Sequence, residues 1–207
     1  MRQTDRKIYL ASKSPRRREL LRQIGVDFEL LLLGSQDTEN TDAVNEDVLP
    51  GEFPHDYVRR ISREKADFAW HSLKQRRLLP RPVLTADTTV VLNNKILGKP
   101  QDKNEAAAIL RELSGETHKV LTCVTVRTKD QLLQALQESE VTFASLSDDT
   151  ISHYCNTLEP YDKAGAYGIQ GLAAKFITRI SGSYSGIVGL PLYETTKLLR
   201  EAGVDIS

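Results

Sequence analysis

One stretch organises the chain: residues 11–21, with the sequence ASKSPRRRELL. The apolar run Ile8–Leu10 before it predicts a short strand, and the apolar residues after it recur at helical spacing. Ser14 is a favourable N-cap, and Pro15 stands at the first helical position, where its missing N–H costs nothing. Gly25 signals the end of the helix. The stretch therefore predicts a strand, a polar turn and a helix.

The first turn of this helix carries an unusual charge. A helix N-terminus favours Asp or Glu, yet the residues here are Arg16, Arg17 and Arg18. The unfavourable interaction of each cation with the helix dipole costs about 0.3–1 kcal/mol. Arg17 also takes the position where a capping box places Glu or Gln. Helix amides and guanidinium groups together suit a polyanion such as a phosphate chain. The alternative is a basic, solvated first turn, and the stretch alone leaves both interpretations open.

The composition limits the classes of protein. A chain of 207 residues suits one large domain or two small lobes. Its 28 Lys and Arg residues balance 28 Asp and Glu residues, which argues against a general nucleic-acid binder but not against a local basic pocket. Cys123 and Cys155 match no metal or redox motif, so we expect packing residues in a reduced cytosolic protein. With no apolar leader and no membrane-length run, we expect a cytoplasmic protein that binds neither membrane nor nucleic acid.

Two charged residues interrupt apolar patterns. The helical pattern over residues 56–79 places Lys65 on a mostly apolar stripe, where it either snorkels outward or is held toward a pocket. Residues 82–92 predict a central strand buried on both faces, and Asp87 interrupts it. A carboxylate inside a sheet costs several kcal/mol unless it meets a cation, a metal or several donors. Asp87 is therefore either a functional group or part of a structural salt bridge or strand-end cap.

The rest of the chain supplies further elements and three loops. The patterns predict strands over residues 28–33, 117–128, 141–146 and 175–180, a hairpin turn at 93–94, and helices over 104–113, from 147 to about 156 and from 191. Residues 34–54 form an acidic loop whose carboxylates could hold a metal, although a solvated loop is the simpler interpretation. The glycine-rich loop 159–171 offers Tyr167 and Gln170 to a base, but ordinary turn chemistry explains its glycines equally well. Residues 181–186 predict a mobile loop.

Seven motifs occur in a fixed order: LASKSPRR (10–17), REKA (63–66), ADT (86–88), GKP (98–100), LSG (113–115), DKAGAYGIQG (162–171) and VGLP (188–191). Each is weak alone, but in this order over nearly the whole chain they make the sequence similar to the Maf family of nucleotide pyrophosphatases. The resemblance implies an α/β fold, with helices flanking an elongated mixed sheet. It also implies one domain over residues 1–207, with two lobes and an active cleft between them.

The resemblance also implies an activity. Members of this family hydrolyse nucleoside triphosphates to the monophosphate and pyrophosphate with a divalent metal, Mg²⁺ or Mn²⁺, in the cytoplasm and often as homodimers. Arg16, Thr88 and Gln170 are similar to the subgroup that hydrolyses dTTP and UTP, in a house-cleaning role that can extend to modified pyrimidine nucleotides. A sister subgroup that acts on 7-methyl-GTP has Trp in place of the first arginine. The alternative is a non-catalytic, nucleotide-binding regulator of cell division and septum formation.

The family motifs assign roles by chemistry. The implied catalytic residues are Asp87, Lys65 and Lys99, and the implied phosphate and base contacts are Ser12, Ser14, Arg16, Arg17, Thr88 and Gln170. The carboxylate serves as general base or metal ligand, and the two lysines neutralise charge on the leaving pyrophosphate. The arginines grip phosphates and the serines donate to one of them, while the threonine and the glutamine contact the pyrimidine.

The implied metal ligands are Asp37 and Asp87, and here the chain departs from the family. Relatives usually carry Asp-Glu shortly after the second strand, whereas this chain carries Gln36-Asp37. Asp37 is one methylene shorter than the usual Glu, and the loop after it is longer. Glu39 is therefore a possible substitute ligand.

Overall fold

A computed structural model describes residues 7–32 and 44–206. In this part of the chain the strands are β1 (Ile8–Leu10), β2 (Phe28–Leu30), β3 (Val83–Leu92), β4 (Lys95–Leu97), β5 (Thr117–Arg127), β6 (Leu132–Phe143) and β7 (Ile177–Ser181). The helices are α1 (Pro15–Gln23), α2 (Pro54–Gln75), α3 (Lys103–Leu113), α4 (Asp148–Cys155), α5 (Tyr184–Val188) and α6 (Leu192–Glu201). Short 3₁₀ helices span Glu159–Asp162, Ala164–Ala166 and Leu172–Phe176.

All seven strands form one mixed sheet, in the order β2-β1-β3-β5-β6-β7, and β4 also pairs with β3. The pairs β1–β2 and β1–β3 are parallel, whereas β3–β4, β3–β5, β5–β6 and β6–β7 are antiparallel. The long strands β3, β5 and β6 form the centre of the sheet. This architecture confirms the expected mixed α/β fold with flanking helices.

The opening stretch folds as its local signals predict. The Ser14 Oγ accepts a hydrogen bond from the Arg17 N–H at 3.4 Å and caps α1. After the helix, Gly25 has a φ of 68°, a left-handed conformation that glycine adopts without strain. The predicted hairpin turn behaves in the same way, because Asn93 and Asn94 both have positive φ values.

Two predictions about the second half of the chain were wrong. The strand expected at residue 141 begins at Leu132, since half-buried positions along residues 132–137 give no clear period in the sequence. Residues 184–186, predicted as part of a mobile loop, instead open the helix α5. The Ser183 Oγ caps this helix by accepting from the Gly186 N–H at 3.0 Å. Both elements form because of their contacts with neighbouring strands and loops, and local sequence propensity does not predict such contacts.

Helices cover both faces of the sheet. On one face α2 packs Val58 and Ile61 against Leu121 and Cys123 of β5. On the other face, one cluster joins side chains of α1 and α6 to β1, β3 and β5, and a second joins α3 and α4 to the far ends of β3 and β5. Both cysteines are buried thiols, as expected of packing residues. Within the described part, no helix has the length and apolar character required to cross a membrane.

The edge of β3 contains a gap. On one side β1 pairs with β3 only at Val83 and Leu84, and β4 pairs with it only from Val90 onward. Within the described ranges, residues 85–89 therefore have no strand partner on that side. Because ligands of α/β proteins commonly bind where strands end and the chain leaves the sheet, the gap is the natural place for a site.

Candidate active site

A cavity of about 990 Å³ opens at this gap. Its wall is formed by the N-terminal end of α1, the middle of α2 and β3, the turn after β4, and two loops. The nine predicted site residues within the described ranges all line it: Ser12, Ser14, Arg16, Arg17, Lys65, Asp87, Thr88, Lys99 and Gln170. The metal-ligand candidates Asp37 and Glu39 lie outside the described residues.

Asp87 and Thr88 point to different faces of β3. The neighbouring Thr85 hydroxyl donates to the Ser62 carbonyl of α2 at 2.9 Å, so odd-numbered side chains here face α2. Asp87 follows this alternation, and its Oδ1 accepts from the Lys65 Nζ at 2.8 Å. Thr88 faces the opposite side and pairs across the sheet with Thr122. One strand thus supplies a carboxylate to one side of the cavity and a hydroxyl to the other.

The ammonium of Lys65 bridges two carboxylates. Besides Asp87, it forms an ion pair with Glu46 Oε1, so it is held toward the cavity and does not snorkel outward. Burial alone would lower the pKa of Lys65, but the two carboxylates more than offset burial and the pKa is raised. Burial likewise acts to raise the pKa of Glu46, yet Lys65 and Lys99 outweigh it and the pKa is lowered. Both shifts favour the charged forms, so Lys65 and Glu46 are ionised at neutral pH.

Glu46 is a residue of this cavity that sequence reasoning missed. It was one of several acidic residues in a loop interpreted as solvated, and nothing in its spacing distinguishes it from Asp42 or Asp47. Its position becomes visible only in the folded chain, where the Tyr57 hydroxyl donates to the Glu46 carbonyl at 2.9 Å. The one sequence feature that points to Glu46 is the pair Lys65 and Lys99, because two cations in one cavity require a nearby negative charge.

Arg17 joins three separate segments. Its Nε donates to the Gly189 carbonyl at 2.8 Å, its Nη2 to the Thr88 hydroxyl at 3.2 Å and its Nη1 to the Ser12 hydroxyl at 3.4 Å. Burial lowers the pKa of the guanidinium, and Asp87 opposes that effect. The geometry places Arg17 at the base of the cavity and gives the VGLP motif a physical purpose, because Gly189 supplies an acceptor for the guanidinium.

The turn before α1 is organised by its serines. The Ser12 Oγ accepts from the Ser14 N–H at 3.2 Å, and the Ser14 Oγ caps the helix. Both hydroxyl oxygens thus hold backbone amides, and each hydroxyl proton can still point toward a ligand. Arg16 lies beside them on the cavity wall.

Glu159, the first residue of the glycine-rich loop, holds the other end of the loop through its carboxylate. Its carboxylate accepts from the Leu172 N–H at 2.8 Å and the Ala173 N–H at 3.3 Å. A Cβ on Gly171 would lie 2.3 Å from the same carboxylate, so only glycine allows this close approach. Gln170, directly before Gly171, is exposed on the cavity wall.

Tyr167 does not offer a stacking face, contrary to the suggestion made from the loop sequence. Only 6% of the residue is exposed, and its hydroxyl lies 2.8 Å from the Nε2 of His118. The ring packs edge-on against Phe143 with centroids 4.8 Å apart. Burial lowers the pKa of His118 to about 4, so this pair is neutral and belongs to the core.

The described part of the cavity contains carboxylates but no complete metal site. In the ranges 7–32 and 44–206, no group of three or more His, Cys, Asp or Glu side chains could hold a metal ion. Asp87 nevertheless fits a divalent cation by its chemistry, because Mg²⁺ commonly takes one or two carboxylates together with phosphate oxygens. The cations beside Asp87 are suited to bring such phosphates to it.

Comparison with known proteins agrees with the geometry. The profile of the family described as "Maf-like protein" matches residues 7–202. The chain is 54% identical over 198 residues to a dTTP/UTP pyrophosphatase of Cupriavidus metallidurans, covering 95% of this chain and 97% of the relative. It is 54% identical over 201 residues to one of Ralstonia nicotianae (96% and 95%) and 49% identical over 199 residues to one of Dechloromonas aromatica (95% and 98%). The chain therefore belongs to the Maf family.

Proposed function

We propose that this chain is a nucleoside triphosphate pyrophosphatase that hydrolyses dTTP and UTP to the monophosphate and pyrophosphate. The observation that carries the proposal is one cavity that is lined by Asp87 together with the cations Lys65, Lys99, Arg16 and Arg17. A buried carboxylate supplies a base, and four cations, two of them at the N-terminus of α1, supply a counter-charge for a phosphate chain. The relatives that are named for this activity share about half of the sequence.

The proposed reaction begins with water at the α-phosphorus. Asp87 accepts a proton from this water as the new P–O bond forms, and the bond between the α-phosphorus and the bridging oxygen breaks. Pyrophosphate leaves with the bridging oxygen and its bonding electrons. Lys65 and Lys99 stabilise the negative charge that develops on this leaving group, and Arg16 and Arg17 orient the phosphates.

A divalent metal, Mg²⁺ or Mn²⁺, belongs to the proposal as the cofactor, with Asp87 and Asp37 as its protein ligands. When bound, it would neutralise phosphate charge and polarise the bond that breaks. The proposal also includes a homodimer in the cytoplasm that binds free nucleotides and not nucleic acid. Its support is membership of the family, and sedimentation velocity measures the oligomeric state directly.

The test of function is a turnover panel. Release of pyrophosphate is measured for the canonical nucleoside triphosphates and for modified pyrimidine triphosphates, with Mg²⁺, with Mn²⁺ and with a chelator. We expect dTTP and UTP to have higher kcat/KM values than the purine nucleotides, with no release in chelator. Tight nucleotide binding without any product would instead identify a non-catalytic regulator.

Gln170 is the proposed contact to the pyrimidine edge, together with Thr88. We expect Gln170→Ala to reduce discrimination between dTTP and purine nucleotides more than it reduces the maximal rate. A site that hydrogen-bonds its substrate rejects a base that leaves those groups unpaired, and the variant removes that penalty. Ratios of kcat/KM across the panel measure the effect. Leu172 is an exposed residue directly after this loop, so Leu172→Ala is the control. An unchanged ratio in Gln170→Ala would exclude Gln170 as a base contact.

A further inference from the structure

The hydroxyl of Thr88 receives two hydrogen bonds from the protein. Its Oγ1 accepts from the Arg17 Nη2 at 3.2 Å and from the hydroxyl of Thr122, which lies directly opposite on β5, at 3.0 Å. A hydroxyl group has two lone pairs and one proton, so these two bonds occupy both lone pairs. Because Thr88 is half-buried on the cavity wall, its own proton can point into the cavity. Thr88 therefore presents a hydrogen-bond donor to a ligand.

Both groups that donate to Thr88 are held in place by the segment of α5. The Arg17 Nε donates to the Gly189 carbonyl at 2.8 Å, and the Thr122 hydroxyl also donates to the Gly186 carbonyl at 2.8 Å. A carbonyl can only accept, so this contact keeps Thr122 in the donor orientation, with one proton shared between Gly186 and Thr88. The bond from the guanidinium is charge-assisted and further polarises the Thr88 hydroxyl. The fold thus sets the polarity of Thr88 before a ligand binds.

Thr122 itself is out of reach of a ligand, since it is 0% exposed. Its side chain faces the same side of β5 as those of Val120 and Val124, two positions before and after it. Packing alone would be satisfied by a third valine here. The hydroxyl of Thr122 therefore has its effect on the cavity through Thr88.

A donor of fixed polarity distinguishes pyrimidines at one position of the ring. Uracil and thymine carry a carbonyl oxygen at C4, which accepts, whereas cytosine carries an amino group there, which donates. A donor that faces an amino group leaves both groups unpaired, and this is costly away from water. Gln170 cannot make the same distinction, because its amide has an acceptor and two donors and can turn over to suit either base. The distinction at C4 thus falls to Thr88.

We propose that Thr122 is a positioning residue that sets Thr88 as a hydrogen-bond donor, and that the site thereby selects a pyrimidine with a carbonyl at C4 over one with an amino group. This inference rests on the proposed function, since it assigns Thr88 to the base of the substrate. Without the Thr122 hydroxyl, Thr88 keeps the bond from Arg17 and regains one lone pair. It can then rotate and accept from an amino group.

The test compares kcat/KM for UTP and CTP, whose bases differ at C4 and the adjoining N3. We expect the wild type to favour UTP, and we expect Thr122→Val to reduce the ratio of UTP to CTP about fivefold. The value for CTP should rise while the value for UTP falls. A merely structural loosening of the site would lower both values and could not raise one of them. Thr122→Ser keeps the hydroxyl and should retain the wild-type ratio.

Thr125→Val is the matched control. Thr125 is equally buried in β5, but its hydroxyl pairs with that of Ser62 of α2 at 2.7 Å, on the other face of the sheet. The control removes the same group from the same strand, so it should lower stability without changing the ratio. The Gly186 carbonyl still accepts from the Gly189 N–H at 3.0 Å in Thr122→Val, so we expect α5 to persist in that variant.

Four results would overturn the inference: an unchanged ratio in Thr122→Val, a ratio that falls only because UTP turnover drops, an equal change in Thr125→Val, or a wild type that does not favour UTP over CTP. A preference for CTP would show that Thr88 faces the cavity as an acceptor. If the wild type hydrolyses UTP but one of these results is found, this inference alone fails. If the wild type hydrolyses no nucleotide, the proposed function fails and the inference fails with it.

Discussion

Asp87→Asn is expected to lower kcat for pyrophosphate release from dTTP by about 10²–10⁴-fold, because the amide cannot accept a proton from water. The fold should persist. Asn has the same shape, its oxygen can still accept from Lys65, and Lys65 keeps its second partner, Glu46. The measurements are single-turnover hydrolysis and the urea midpoint of unfolding, and we expect the midpoint to change little.

Asp67→Asn is the matched control for this variant. Asp67 is a carboxylate on α2 whose nearest described cation is Arg127 at 3.5 Å, and about half of its side chain is exposed. It should therefore retain wild-type turnover. If Asp87→Asn kept more than a tenth of the wild-type rate, Asp87 could not be the general base.

Gly165→Ala should produce a large loss in the free energy of unfolding. Gly165 has a φ of 70°, which costs an L-residue roughly 1–2 kcal/mol. A Cβ there would also lie 2.8–2.9 Å from three atoms of the Val90 side chain, and overpacking of a core typically costs about 1–3 kcal/mol more. Urea unfolding followed by circular dichroism measures the sum.

Gly51→Ala separates these two costs. Gly51 has a nearly equal φ of 74°, but no atom would lie within 4 Å of its added Cβ. Gly51→Ala should therefore show only the free-energy cost of the left-handed backbone. Combining Gly165→Ala with Val90→Ala should relieve the steric clash between the new Cβ and the Val90 side chain. Equal destabilisation by the alanine at 165 and the alanine at 51 would show that the contact with Val90 is not limiting.

The sequence predicts those parts of the fold whose causes are local. The cap at Ser14, the turn at Asn93-Asn94 and the buried run of β3 each carry their own signal, and each is confirmed. The prediction for the first part of β6 was wrong because the side chains there are half-buried on both faces of the sheet, so the sequence shows no apolar–polar alternation. Helix α5 was missed because it is only five residues long and its N-cap, Ser183, also bonds to Ser139 of β6.

In the site, too, features with a local sequence signal could be predicted and features that depend on tertiary contacts could not. The family motifs name residues that the structure brings to one cavity, although they are scattered from Ser12 to Gln170. The position of Lys65 on an apolar helical stripe did not predict where its side chain points. The stripe faces β3, and Lys65 lies opposite Asp87 of that strand, so its ammonium turns toward the carboxylate. Glu46 could not be singled out because its role depends on where a loop crosses α2, and loop paths carry no periodic signal.

The bond between Arg17 and Gly189 joins residues 172 positions apart. A chain emerging from the ribosome therefore completes α1 long before it has the acceptor that fixes the guanidinium. Thr88 and Ser12 are made early, but Gly189 lies 101 positions after Thr88 in the sequence. The nascent chain consequently has no finished phosphate-binding end until α5 and Gly189 have been made. A truncation before α5 should therefore leave a partly folded protein without catalytic activity.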